Sequence, residues 1–414
     1  MKYTLIITLA LFLNVMHVNS QDLINIYKKG NVKLEEVSGY GSKNNWTTLF
    51  SDYNIVQYGS ETGKHKRIIV APDGSVFMSH RSRHEIWKFD KNGNFLLKFG
   101  KKGTAADQFP YIPDAGGILD GKYFFTSDCQ GRLKFFDLNG KFIKMIRLDY
   151  MPLEIIPLKN SKLAIVGYTS GKDILVIKDF NTGKEKFILN ETENKDDGSI
   201  KINMPKGGMM LFALPLTHSS LNRFRIAIAK NGNLLVASPK TGIVTEYSTE
   251  GIKLSEFNLD ITPLKVSDED INSYYETALK NIAKFEEQLK KNKNFTEADI
   301  NNILTQYKNQ INNFKDRKYY PVHLPFFSSI VIDSEGNLIV FEFTEEDVAN
   351  NFRAYTFDAK GKYLCSSSFH TDNYELNFEP YSFAFNQGNI YALAFKNNCK
   401  DYCLRLVKFK MLQK

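Results

Sequence analysis

At 414 residues, with 43% hydrophobic and 24% charged side chains, the chain could hold two or three domains, yet no Pro/Ser-rich linker or composition break divides it. A formal net charge of +8 is mild for this length, and no Lys/Arg stripe with interleaved aromatics appears, so nucleic acid is excluded as a partner. Four cysteines are too few for a disulfide scaffold.

Residues 1–20 read as a secretory signal peptide. Lys2 gives a positive start, Leu5 to Val18 form an apolar run interrupted by Thr8, Asn14 and His17, and Val18-Asn19-Ser20 offers small residues at the cleavage positions. The run is short and no stop-transfer charge follows it, so a membrane span is not expected, although an uncleaved anchor is the alternative. No Cys follows the run, so a lipid-anchored amino end is not supported. The expectation is an exported protein, periplasmic or extracellular, with residues 21–52 as a lead-in and residues 53–412 as one domain.

That domain repeats. Ala71 to Ser79, Glu85 to Gly93 and Asn94 to Gly100 carry three short apolar-rich strands punctuated by Asp73-Gly74 and Asn92-Gly93, dipeptides that favour two-residue hairpin turns with both central residues at positive φ. The pattern returns at Asp120-Gly121 with Asn139-Gly140, at Asn231-Gly232 with Glu250-Gly251, and at Glu335-Gly336 with Lys360-Gly361. The first three pairs of glycines are each 19 residues apart and the fourth 25. A looser copy runs from Asn160-Ser161 to Thr182-Gly183, and a last one from Gln387-Gly388 to Lys410. Six units of this kind predict an all-β, six-bladed β-propeller. The last unit lacks a fourth strand, and Tyr53 to Tyr58 is expected to supply it, closing the ring between the two termini.

Residues 265–318 interrupt the repeat between blades 4 and 5 as a helical hairpin. Ser267 to Asp270 resembles a capping box, and Ile271, Tyr274, Tyr275, Ala278, Leu279, Ile282, Phe285 and Leu289 follow helical spacing. Thr296 to Asp299 starts a second helix, with Ile300, Ile303, Leu304, Tyr307, Ile311 and Phe314 on one face. The pair is expected either to pack on itself and the propeller rim or to form a lid or docking element.

The residues of the first two units resemble NHL-type propeller repeats. The resemblance runs through Phe125-Thr-Ser-Asp128, Arg132-Leu-Lys-Phe-Phe-Asp137 and Gly140. Phe95 to Gly103 and Leu324 to Asp333 look like the exported six-bladed propellers of Bacteroidota, NHL-repeat-like or TolB-like in type. The resemblance covers most of residues 46–412 and implies the fold; of activity it implies little. It gives His84 and the Asp128–Arg132 pair structural roles, and it departs at Thr104-Ala-Ala-Asp107, where such proteins often carry Gly-Pro-Gly-Glu.

Long segments fall on the face opposite the tight turns, so the binding surface is expected there, at the channel mouth. Seven residues before each inner turn stand Arg67, Asp114, Glu154, Arg225, Ser329 and Tyr381. Arg67 and Arg225 would face each other across a sixfold ring and suit an anionic ligand; the alternative is an Arg–carboxylate network with Asp114 and Glu154. His80, Arg81 and Arg83 lie on the same face, and His218 and His323 occupy similar offsets. No cofactor is expected, with a divalent metal on His218 and His323 as the minor alternative. Cys399 and Cys403 could close a small loop, whereas Cys129 and Cys365 read as ordinary thiols. The expectation is a monomer that binds a protein or a small anionic ligand. The competing reading is a His/Arg-dependent lyase or hydrolase of the NHL-like propeller type.

Overall fold

The computed structural model describes residues 23–50, 68–80, 83–113, 116–170, 172–192, 200–205, 207, 209–212, 222–292, 294–313, 315–344, 350–376, 383–397 and 404–413. Helix α1 (Leu23–Lys28) leads into strand β1 (Asn31–Glu36), and the single turn α2 (Trp46–Leu49) follows. The next four strands, β2 (Ile68–Val70), β3 (Val76–His80), β4 (Glu85–Phe89) and β5 (Phe95–Phe99), make one sheet. A second comprises β6 (Gly116–Leu119), β7 (Tyr123–Ser127), β8 (Arg132–Asp137) and β9 (Phe142–Arg147). A third comprises β10 (Met151–Leu158), β11 (Lys162–Thr169), β12 (Lys172–Asp179) and β13 (Glu185–Thr192). The hairpin β14 (Ile200–Asn203) and β15 (Met209–Phe212) stands apart. A fourth four-stranded sheet comprises β16 (Arg225–Ile228), β17 (Leu234–Ala237), β18 (Ile243–Tyr247) and β19 (Lys253–Asn258).

Helices α3 (Asp268–Lys291) and α4 (Glu297–Asn313) separate β19 from the rest. The remaining strands join β1 in one nine-stranded sheet. They are β20 (Ser329–Ile332), β21 (Leu338–Phe341), β22 (Asn351–Phe357) and β23 (Tyr363–His370), then β24 (Tyr374–Glu375), β25 (Phe383–Asn386), β26 (Asn389–Lys396) and β27 (Leu404–Gln413). Within each four-stranded sheet, sequence neighbours are sheet neighbours, the order of a meander. First strands meet first strands: β2 lies beside β6 and β25, β6 beside β10, β10 beside β16, and β16 beside β20. Four-stranded sheets radiating from a shared axis make a β-propeller. Apolar clusters fill the wedges between successive sheets, as where Phe125, Leu133 and Phe135 meet Ile155, Ile165 and Val176.

β1 explains why one sheet has nine strands. Val32 to Glu36 pair antiparallel with Gln413 to Phe409 of β27, while Asn31 to Lys33 pair parallel with Ser368 to His370 of β23. The outer place beside β27, expected for Tyr53 to Tyr58, is therefore held by Asn31–Glu36; residues 53–58 lie outside the described residues. The choice has a physical reason. Val32 and Leu34 alternate with charged residues and are fully buried, whereas Lys33 pairs with Asp372 (2.6 Å) and Glu35 with Lys410 (2.6 Å) on the wet side.

The turns also differ from expectation. At Asp90 to Asn94, Gly93 N–H donates to Asp90 O (2.9 Å), and Asp90 Oδ1 accepts from Asn92 and Asn94 N–H (2.9 and 2.8 Å). Gly93 alone in this turn takes positive φ (80°), and the register slips between Lys88 and Phe89. This is a turn closed by a glycine bulge, with the aspartate side chain holding it, rather than a two-residue turn. Asp137 to Lys141 repeats it, with Gly140 at φ 85°. Two positive-φ residues in succession do occur at Asp120-Gly121, Asn160-Ser161 and Gln387-Gly388.

Both helices begin as their sequences imply. Ser267 Oγ accepts from Asp270 N–H (3.1 Å) while Asp270 accepts from Ser267 N–H (2.7 Å), and Thr296 and Asp299 do the same. Ile271, Tyr275, Ile300, Ile303, Leu304, Tyr307 and Ile311 bury one another, together with Ile202 of β14 and Leu324. The Gln306 amide also bonds Asn203, accepting from its N–H at 3.1 Å. Among the described residues no helix is long and apolar enough to cross a membrane.

Candidate functional site

The propeller axis holds a cavity of about 530 Å³. Its wall is built from β2, β6, β10, β16, β20 and β25, one first strand from each group of four, counting β25–β26–β27–β1 as a group. These strands are rich in Ile and Val, which suit a pleated, half-buried surface, so most of the wall is apolar: Ile69, Ile118, Ile156, Ile226, Val331 and Phe385. Polarity is confined to a few positions. Glu154 is 7% exposed and Ser329 2%, while Arg225 and Asn386 are partly buried. Arg225 and Ser329 open β16 and β20, at the end where the connections between sheets arrive.

Arg225 is committed to the scaffold. Its Nε donates to Ser328 O (2.8 Å) and its Nη1 to Arg223 O (3.0 Å), so the guanidinium ties β16 to the entry of β20. Both of these partners are backbone carbonyls, and Asp114 of the expected Arg–carboxylate network lies outside the described residues. Arg223 carries the tie onward, reaching Asp173 of β12 (3.3 Å). A planar fork with several donors does this because two carbonyls from different segments fall within its span.

His80 and His323, the predicted histidines among the described residues, stand in unlike settings. His80, at the end of β3, is 0% exposed and sits between the rings of Trp87 (4.4 Å) and Phe50 (6.4 Å), inside an aromatic core. His323 is exposed on a two-residue bridge to Lys265. Neither lines the cavity. Among the described residues no group of three or more His, Cys, Asp and Glu is placed to hold a metal ion. Arg83 lies over the Trp87 ring at 5.5 Å. Trp87 itself is buried and offers no stacking platform. Arg67, Arg81, Asp114, His218, Tyr381, Cys399 and Cys403 lie outside the described residues.

The remaining loop-face residues hold structure. His84 Nδ1 meets Phe109 O at 2.9 Å, and Ser79 Oγ donates to Pro113 O at 2.6 Å. Asp128 accepts from Gln130 and Arg132 N–H and pairs with Arg132 Nε at 2.8 Å, closing its own hairpin. Lys134 is 2% exposed, donates to Gln108 O and lies 5.3 Å from the Phe109 ring; burial pushes its ammonium pKa down.

No protein-family model matches the chain, and no curated protein matches it. Among solved structures it is similar to a member of the DUF4221 family from Bacteroides vulgatus, with a TM-score of 0.50 and 12% identity over 93% of this chain and 99% of that one. It is also similar to a Bacteroides fragilis protein described as exported (TM-score 0.49, 11% identity, 94% and 97% covered). A further likeness is to virginiamycin B lyase from Staphylococcus aureus (TM-score 0.43, 11% identity, 92% and 100% covered). At such identities the likeness is one of fold, that of the β-propeller.

Proposed function

We propose that this chain is an exported six-bladed β-propeller, with β1 sealing the last blade, that acts as a binding module for a small ligand held in its axial cavity. The observation that supports this reading is an axial cavity lined by six first strands, apolar along its wall and polar at Glu154, Arg225 and Ser329. Pockets of this size and character are the usual places for small molecules. The ligand class follows from the lining. Arg225 already serves two carbonyls, and Glu154 places a carboxylate in the same cavity, so the anionic ligand gives way to one of low net charge, with an apolar body and a polar end.

The test is a thermal-shift screen of small molecules against the protein beginning at residue 21. Ile156→Trp, which fills the cavity from β10, serves as the control. Stabilisation by a compound that Ile156→Trp abolishes while keeping its circular dichroism supports the reading. A compound that stabilises both proteins equally places the site elsewhere. Export is tested separately, by amino-terminal sequencing of protein recovered outside the cytoplasm; cleavage after Ser20 is expected.

A further inference from the structure

We propose that a second site, a polar trough on the face of β22 and β23, binds a neutral polyhydroxylated ligand, a saccharide. Strand length creates it. β22 has 7 residues and β23 has 8, whereas β18 and β19 on the neighbouring sheet have 5 and 6. Tyr355 and Phe357 are covered by the cluster that contains Leu235 and Val244. The other ends of β22 and β23 run on past that cover, and there the trough lies.

Alternation fixes what it presents. Phe352, Ala354 and Phe369 point into the core. The opposite face therefore carries Asn351 across from His370, Arg353 across from Ser368, and Tyr355 across from Ser366. The parallel pairing of β1 extends this face by Asn31 and Lys33, next to Ser368 and His370. Two cavities, of about 490 and 730 Å³, open here and share Gly30, Asn351 and Ser368.

The chemistry selects the ligand. Arg353 stands 3.8 Å from Glu342, which also accepts the Tyr355 hydroxyl at 2.8 Å, and Lys33 pairs with Asp372. The charges along the trough are thus compensated, with exposed Lys29 at the rim. What remains is a row of hydroxyls, amides and an imidazole. In it Ser368 Oγ donates to Asn351 Oδ1 and leaves the Asn351 amide N–H groups and the Ser368 oxygen to face a ligand, groups that donate and accept as sugar hydroxyls do. Among the described residues neither ring nitrogen of His370, which borders the larger cavity, has a hydrogen-bond partner, and a ligand hydroxyl reaching the ring would meet that need. Among the described residues lining the two cavities there is no aliphatic side chain of the kind a peptide ligand would require.

The experiment is an array of neutral oligosaccharides printed beside sulfated and sialylated ones, followed by titration of the best binder. Binding of a neutral oligosaccharide is expected, weakened about tenfold or more by Ser368→Leu and by Asn351→Ala. Ile156→Trp, which fills the axial cavity, should leave it unchanged, so this site and the axial one stand or fall separately. Asn351→Ala keeps the test open should Ser368→Leu misfold. The proposal is overturned by an array on which no neutral oligosaccharide binds, by preference for the sulfated or sialylated probes, or by binding that survives both substitutions.

Discussion

The Tyr40 ring lies 2.6 Å from the point where a Cβ on Gly93 would stand. Phe99 of β5 stands in the same relation to Gly140, and Phe257 of β19 to Gly361. In those two cases an outer strand of one sheet covers the turn glycine of the next. Residues 37–50 provide that cover for the first sheet, and Asn44 reinforces it by donating to Gly93 O (2.8 Å) and accepting from Phe95 N–H (2.9 Å).

Gly93→Ala should therefore carry two costs. Left-handed backbone at φ 80° disfavours alanine by about 1–2 kcal/mol, and the methyl group also displaces Tyr40. Denaturant titration of Gly93→Ala, Tyr40→Ala and the double variant separates them. The double variant should lose less than the sum of the singles, because Tyr40→Ala removes the overlap and leaves only the backbone term. Strict additivity would mean that the ring does not cover the glycine.

Much of this fold was legible because turn chemistry is local. The Asp-Gly and Asn-Gly dipeptides recurring 19 residues apart revealed the repeated sheets, although at Gly93 and Gly140 the turn type differs from the one expected: a single positive-φ residue and an aspartate acceptor suffice there. The closing strand was misplaced for a different reason. Val32 and Leu34 alternate with charges as a strand with one buried face should, but its partners lie more than 330 residues away, and nothing local marks that pairing. The site was harder still. Register drew attention to Arg225 and Glu154, which both line the axial cavity, yet which carbonyl a guanidinium will choose depends on backbone from another sheet. The trough at Ser366 and Ser368 escaped notice because its polarity becomes a surface only when β22, β23 and β1 align.

If β1 seals the ring, charging its buried side should open it. Leu34 is 2% exposed between β27 and the adjoining core, so Leu34→Asp loses apolar burial and buries a carboxylate, a cost on the order of 3 kcal/mol or more. Loss of the strand exposes the edges of β27 and β23, which then invite intermolecular pairing. Size-exclusion chromatography should show concentration-dependent aggregates for Leu34→Asp and none for Lys33→Ser on the solvent side. A monomeric, undiminished Leu34→Asp would remove β1 from the role of seal.

Acid should loosen the turns. Hydrogen bonds from Ser75 hold the Asp73 pKa below its ordinary value, and those from Thr182 and Asn181 do the same for Asp179. A carboxylate whose folded pKa lies below its unfolded one contributes stability that is fully present above the unfolded value, near 4, and is lost as pH falls through the folded value. Thermal midpoints should thus be flat from about pH 7 to 5 and fall below about 4. Asp179→Asn should lower the midpoint at pH 7 and make the acid limb shallower. An unchanged acid limb would show that this turn does not contribute to the linkage.

Arg225 offers the sharpest separation of scaffold from site. Its two hydrogen bonds reach the carbonyls of Ser328 and Arg223, the first of which belongs to the approach to the next sheet. Truncation to Ala leaves both partly buried acceptors without their charged donor, a loss of about 1.5–3 kcal/mol for such a bond. Lysine preserves the charge but not the fork, since one ammonium on a flexible stem does not span both carbonyls as Nε and Nη1 do. Arg225→Lys should therefore be destabilised nearly as much as Arg225→Ala, with lower denaturant midpoints and unchanged slopes. If charge alone mattered, for a ligand or for the field in the cavity, lysine would restore stability, and the guanidinium would have to be reassigned from staple to binding group.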